Sequence, residues 1–168
     1  QKQLPHLWEV LEALNITTIK KKGFEADDLI GTLVTKASKN GLISYIVSGD
    51  KDFMQLINDE IFLYAPGTRK SPDPIIYDAK KVEERWGVPP NKITDLLGLM
   101  GDSSDNVPGV SGVGEKTAVK LLKEYDSMNG VLANVEKVKN KRVYNGLKDG
   151  IENAKLSKKL VTILTNVD

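Results

Sequence analysis

Hydrophobic residues Leu4, Leu7, Trp8, Leu11 and Leu14 recur at helical spacing, so the chain opens on an amphipathic helix that Asn15 ends. The next apolar stretch, residues 16–19, is short and β-branched and predicts a strand. A second helix is expected over residues 25–39, burying Leu29, Ile30, Leu33, Val34 and Ala37 and stopping at Asn40-Gly41. Strands follow over 42–47 and 61–64, with a short helix near 53–57 between them. Residues 65–74 hold three prolines and a basic pair and predict a loop. Beyond it come an edge strand at 75–77, a helix over 79–86 ended by Gly87, and a helix over 91–100 opened by Pro89-Pro90, with Ile93, Leu96, Leu97 and Met100 inward. Helix alternating with mostly apolar strand predicts an α/β fold with a parallel sheet covered on both faces. Three strands make a thin sheet for such a fold, so part of it is expected to lie outside this chain. After Gly109 the pattern changes to short helices at 115–125, 128–135, 141–147 and 151–164 with no further strand. A boundary near Pro108 therefore separates an α/β portion, 1–108, from an all-α subdomain, 109–168.

The 168 residues are 40% hydrophobic and 28% charged, the composition of an ordinary folded domain. No apolar run approaches the length of a membrane span and no leader pattern is present, so a cytoplasmic protein without a membrane partner is expected. The first residue is Gln1, and the immediate entry into a helix suggests that the start of the domain is missing. With no cysteine and one histidine, His6, disulfides, thiolate chemistry and histidine-rich metal sites are excluded. Any metal must be held by oxygen. The net charge is only +1, but residues 23–108 carry −5 and residues 109–168 carry +4, the layout of a cation-binding region followed by one that meets phosphates.

Three acidic groups carry candidate chemistry: Glu25, Asp27 and Asp28 at a helix start, Asp50 and Asp52 just past a strand, and Asp102 and Asp105 in a polar loop. Each also has an ordinary reading. Acids favour a first helical turn, Asp50 can cap the next helix, and Asp-Ser-Ser-Asp-Asn suits a turn. Gathered together, seven carboxylates would repel one another unless cations neutralised them. Hard oxygen donors select Mg²⁺ or Mn²⁺; the twelve-residue loop spacing of helical-hand Ca²⁺ sites is absent. Two such ions can drive phosphodiester hydrolysis.

Residues 109–118, Gly-Val-Ser-Gly-Val-Gly-Glu-Lys-Thr-Ala, lead into a helix and present close backbone and free amides to an anion. Gly109-x4-Gly114 starts like a phosphate-binding nucleotide loop, but Glu115 separates Gly114 from Lys116-Thr117 and no strand precedes it; the dinucleotide glycine pattern also fails. A hairpin gripping a nucleic-acid backbone fits better, with Lys116, Lys120 and Lys123 as phosphate contacts. A plain connection with solvated lysines is the alternative.

Four stretches in this order, Gly23-Phe24-Glu25-Ala26-Asp27-Asp28, Val47-Ser48-Gly49-Asp50-Lys51-Asp52, the run from Leu99 to Val110, and Gly112-Val113-Gly114-Glu115-Lys116-Thr117-Ala118, resemble the 5′ nuclease (5′-3′ exonuclease) domain of bacterial DNA polymerase I, in the flap endonuclease family. The resemblance covers almost the whole chain, including Leu156-Ser157-Lys158-Lys159-Leu160. It implies a resolvase- or PIN-like α/β nuclease core, a helix-three-turn-helix duplex-binding element, and removal of 5′ flaps, RNA primers or 5′ nucleotides in replication and repair. It assigns Glu25, Asp27, Asp28, Asp50, Asp52, Asp102 and Asp105 to catalysis through two Mg²⁺ or Mn²⁺ ions. Arg69, Lys70, Ser111, Gly112, Gly114, Lys116, Thr117 and Lys120 are expected to contact DNA, and the hairpin, through Ser111 and backbone carbonyls, to hold K⁺. The expected partner is DNA with a 5′ flap, nick or 5′ end, and a polymerase domain in the same parent chain. The family's initial aspartate-bearing strand, a further aspartate and a basic arch have no counterpart after Gln1. Two readings of the fragment follow: part of an active nuclease, or a branched-DNA-binding module without activity of its own.

Overall fold

The structure, a computed structural model, describes residues 3–69 and 71–168. Three strands form the sheet: β1 (Ser44–Val47), β2 (Ile61–Ala65) and β3 (Ile75–Tyr77), in that spatial order. β1 and β2 are parallel, with Ser44 opposite Ile61, and are joined through a 3₁₀ helix, Lys51–Leu56. β2 buries Ile61 and Leu63, the alternate positions of a half-covered strand. β3 runs antiparallel to β2, with Leu63 opposite Tyr77. The expected edge strand is thus present at the sheet's edge but departs from the parallel pattern, because residues 66–74 are too few for a parallel crossover, which takes about a dozen or more.

Two other expectations change. Residues 16–19 form no strand: they are exposed, and no described strand lies beside them. The second helix, α2 (Ala26–Lys39), following α1 (Leu4–Ala13), packs Ile30 and Val34 against the core as expected, but its fully buried residues are Gly31 and Thr32, and Leu33 is exposed. The reason is the C-terminal tail, which packs along α2 where Ile163 meets Gly31 and Thr32 Oγ1 accepts a hydrogen bond from the Val167 amide at 3.1 Å.

The remaining helices are α3 (Ala79–Trp86), α4 (Ile93–Met100), α5 (Glu115–Tyr125), α6 (Met128–Ala133), α7 (Lys141–Asp149) and α8 (Ile151–Val161). Gly87, left-handed at φ 71°, stops α3 as its position after the apolar pattern implied. α4 is apolar nearly all round, and Ile93, Leu96, Leu97 and Leu99 are all buried. Such a helix has to sit in the middle of its domain. It does so, against the 3₁₀ helix that follows β1 on one side and α5, α6 and α8 on the other. Each of those side chains contributes about 1.5–3 kcal/mol of burial. Asp95, inside this packing, is paired with Lys158 of α8 at 2.5 Å, which removes the cost of an isolated buried charge.

The loop after α4 returns to its own start. Asp102 and Val107 exchange backbone hydrogen bonds of 2.9 and 2.7 Å, the Val110 amide donates to the Leu99 carbonyl, and the Gly109 amide donates to the buried Ser157 hydroxyl at 2.9 Å. Both ends of the loop need glycine. Gly101 and Gly109 have φ of 74° and 61°, and a Cβ on Gly109 would lie 2.4 Å from the Gly101 nitrogen. Gly109→Ala is therefore expected to cost about 3 kcal/mol or more in denaturant unfolding, from left-handed strain and a backbone clash together. Gly49→Ala, where a Cβ meets nothing within 4 Å, should stay within about 1 kcal/mol of the unaltered chain in the same measurement.

Candidate functional site

β1 ends at Val47, and its carboxyl edge collects acidic side chains from three separate stretches. The Ser48 hydroxyl accepts from the Asp50 amide at 3.0 Å, and Asp50 Oδ1 accepts from the Asp52 amide at 2.9 Å, which turns the chain into the 3₁₀ helix. At the start of α2, Asp28 Oδ2 accepts from the Glu25 amide at 3.3 Å while its Oδ1 accepts from the Leu164 amide at 2.9 Å. Gln55 ties the same tail down from the other side, donating to the Val161 carbonyl at 2.8 Å and accepting from the Ile163 amide at 3.0 Å. Glu25, Asp27, Asp28, Asp50, Asp52 and Asp105 consequently line one cavity of about 350 Å³, with residues 160–163 as its other wall. Asp102 lies beside it, buried, with Oδ1 accepting from the Ser104 amide and Oδ2 from the Lys51 ammonium. Capping and turn roles are thus real for Asp28, Asp50 and Asp102, and they coexist with a shared cavity.

The electrostatics record the crowding. Asp52 is pushed up to about 6, first by burial and then by Asp50, Asp102 and Asp105, against the opposing pull of Lys51. Asp27 is raised by burial and by Asp50, Glu25, Asp28 and Asp105. Asp105 is raised mainly by its hydrogen bond with Asp102. Burial, the largest single influence, works against charge on both Lys51 and Asp102, but it is outweighed by their mutual hydrogen bond together with the attraction of Asp52, Asp102 and Asp105 for the lysine and the Ser104 amide and Lys51 charge for the aspartate, so the lysine is held above and the aspartate below their ordinary values. Asp52 Oδ1 is buried without a hydrogen-bond partner; the Lys51 ammonium is 3.8 Å away, an ion-pair distance only.

These residues fit a hard divalent cation in kind: the donors are all oxygen, their charges repel, and one buried oxygen is unsatisfied. They do not form a closed cage. Among the described residues no group of three or more acidic side chains is arranged to hold an ion as it stands, and Lys51 Nζ lies within 4 Å of Asp52, Asp102 and Asp105.

The expected DNA contacts divide between two further cavities on the helical side. Ser111 faces Arg142, Lys141 and Asn145 of α7 in one, and the Arg142 side chain packs over Gly112. Lys116, Thr117 and Lys120 of α5 face Lys137, Lys139 and Asn140 in the other. Gly114 caps α5 without a side-chain hydrogen bond, and a Cβ there would meet only open space. Helix α4, not a strand, precedes this loop, which removes the nucleotide-loop geometry. Arg69 is exposed in the proline-rich loop, outside these cavities, and Lys70 lies outside the described residues. Sequence reasoning assigned no role to Lys51 or to the basic residues Lys137, Lys139, Lys141 and Arg142. Their density over six positions was the available signal. No described helix is long and apolar enough to cross a membrane.

Family models match the chain from end to end: residues 1–87 match the 5′-3′ exonuclease N-terminal resolvase-like domain and residues 88–168 the 5′-3′ exonuclease C-terminal SAM fold. DNA polymerase I of Bacillus subtilis is 44% identical over 98% of this chain and 18% of its own length. A 5′-3′ exonuclease of Buchnera aphidicola is 40% identical over 100% of this chain and 56% of its own. The chain thus spans about a fifth of the polymerase relative and just over half of the exonuclease relative. Among solved structures, T5 5′-exonuclease with bound divalent metal ions superposes with TM-score 0.79 over 94% of this chain and 58% of that one, at 21% identity. The catalytic core of Rad2 in complex with a DNA substrate gives 0.63 over 100% and 56%, at 16% identity, so both support the fold alone. A resolvase-like α/β portion joined to a helical SAM-like portion, both matched by 5′-3′ exonuclease family models and 40% identical to a named 5′-3′ exonuclease, places the chain in the 5′-3′ exonuclease family.

Proposed function

We propose that this chain is the metal-binding and duplex-gripping part of a 5′-3′ exonuclease and 5′-flap endonuclease that hydrolyses DNA phosphodiesters in primer removal and repair. The observation that carries the reading is the convergence of six carboxylates from three segments on one cavity, with Asp27 and Asp52 raised by burial and by their neighbours. Glu25, Asp27, Asp28, Asp50, Asp52, Asp102 and Asp105 would hold two Mg²⁺ or Mn²⁺ ions. Ions bound there supply Lewis acidity toward the phosphodiester. Asp28 and Gln55 fix the tail that walls the cavity, and the closed 101–109 loop aims Asp102 and Asp105.

Lys116, Lys120, Lys137 and Lys139, with the uncapped amides of α5, would take phosphates of one strand of a duplex. Ser111, Gly112 and Gly114 allow backbone approach beside them, and K⁺ would sit at this hairpin through carbonyls and the Ser111 hydroxyl. The partner is DNA bearing a 5′ flap, nick or 5′ end, or an RNA primer, in the cytoplasm. A polymerase domain in the parent chain is supported by the polymerase relatives, of which this chain covers about a fifth. A second reading, branched-DNA binding without cleavage by this stretch alone, is favoured by the unclosed carboxylate set.

Cleavage of a labelled 5′-flap duplex with Mg²⁺ or Mn²⁺, beside a gel shift on the same DNA, separates the two readings. Asp102→Asn combined with Asp105→Asn is expected to lower cleavage by more than the ~10–100-fold typical of losing an outer partner of a metal site, with the shift retained; cleavage at the unaltered rate would remove the metal assignment. Lys116→Ala with Lys120→Ala should weaken binding of all duplexes alike and reduce the slope of log affinity against log salt by about 2, one unit for each phosphate no longer neutralised.

Crowded charge also has a stability signature. A carboxyl raised in the folded state destabilises when ionised, so the cost from Asp52 is fully present above about pH 6 and disappears as pH falls below the ordinary carboxylate range. In EDTA at pH 7.5, Asp52→Asn is expected to stabilise the chain by about 1 kcal/mol, after allowance for solvent screening. The gain should vanish near pH 4 and reverse in excess Mn²⁺; loss of stability at pH 7.5 in EDTA would contradict it.

A further inference from the structure

One cation already stands in the carboxylate cluster, and it belongs to the chain. Lys51 occupies the middle of Asp50-Lys51-Asp52, at the turn into the 3₁₀ helix, and its ammonium reaches the 101–109 loop. It hydrogen-bonds Asp102 Oδ2 and lies 3.8 Å from Asp52 Oδ1 and 3.9 Å from Asp105 Oδ2. Three carboxylates from two separate segments thus share one monovalent charge. The side chain is 28% exposed on a flexible four-carbon stem, so its head has a route out of the cluster. Asp102, with 6% of its side chain exposed, has no comparable freedom.

From this arrangement we infer that Lys51 is a built-in counter-ion that holds the metal-free cluster together and competes with the divalent cation for the same oxygens, leaving when that cation enters. The inference rests on the divalent-site reading above. Its physical content is a linkage: an ammonium within 4 Å of three carboxylates lowers the repulsion a divalent ion would otherwise relieve, so part of that ion's binding free energy goes into displacing it. Asp52 Oδ1, buried without a hydrogen bond while the ammonium sits on Asp102, is the oxygen that gains most from the exchange. The lysine therefore sets how much free cation is needed to load the site, and it protects the empty site from unfolding.

Calorimetric titration of Mn²⁺ into the chain, with thermal unfolding in EDTA and in saturating Mn²⁺, tests the exchange without reference to cleavage. Lys51→Met, which keeps length and loses charge, is expected to bind Mn²⁺ about tenfold tighter, within the usual range of couplings between competing ligands. Its unfolding midpoint should fall by a few degrees in EDTA and recover in Mn²⁺. Lys51→Arg should retain the weak, wild-type-like affinity, and Lys51→Gln should repeat the Met result should Lys51→Met fail to fold. Wild-type or weaker Mn²⁺ affinity in both neutral variants, with an unchanged midpoint in EDTA, would overturn the inference while leaving the divalent site in place. Absence of Mn²⁺ binding by the unaltered chain would instead remove the divalent-site reading and this inference together.

Discussion

Like charges held at close range by a folded chain are a standing cost, and the architecture around the carboxyl end of β1 is organised by that cost. Six acidic side chains line one cavity and a seventh lies beside it, so their charge has to be met by protons, by Lys51 or by cations from solution. The protonation route is visible in the upward shifts of Asp27 and Asp52, and the lysine route in the lowered Asp102. The cation route gives the cluster a use, and the proposed nuclease chemistry draws on it.

Holding such a cluster takes stiffness from elsewhere. The apolar α4 anchors the 101–109 loop, whose glycine ends touch backbone to backbone, and Ser157 of α8 fastens Gly109 from the helical side. The C-terminal tail does the same for α2, through Asp28, Thr32 and Gln55. The polar groups that position the carboxylates are therefore spread over the whole length of the chain, and the α/β and helical portions cannot be separated without loosening the site. The basic cavities beside α5 and α7 belong to the second portion, which puts the proposed duplex grip and the acidic cleft on one framework.

Much of this was legible in the residues, for identifiable reasons. Helices α3 and α5 were read to the residue because a strong apolar period meets an unambiguous stop at Gly87 and a glycine start at Gly114. The carboxylates were found because they come in short runs at element ends. What failed depended on one short connection and on partners distant in sequence. The direction of β3 follows from the short 66–74 connection, residues 16–19 lack a neighbouring strand, and the buried face of α2 is chosen by a tail more than 130 residues away. Lys51 carried no expected role because its contacts that matter are with Asp102 and Asp105, some fifty residues on.

The central claim is that the three acidic segments form one cation site. Paramagnetic broadening by Mn²⁺ in amide NMR spectra of the chain tests it most directly, because it reports proximity to the ion residue by residue. With Mn²⁺ well below one equivalent, the amides of Asp27, Asp52 and Asp105 should fade together while those of Asp73 and Gly112 persist. Fading that begins at isolated surface acids such as Asp59 or Asp73, or that touches only one of the three segments, would contradict the account.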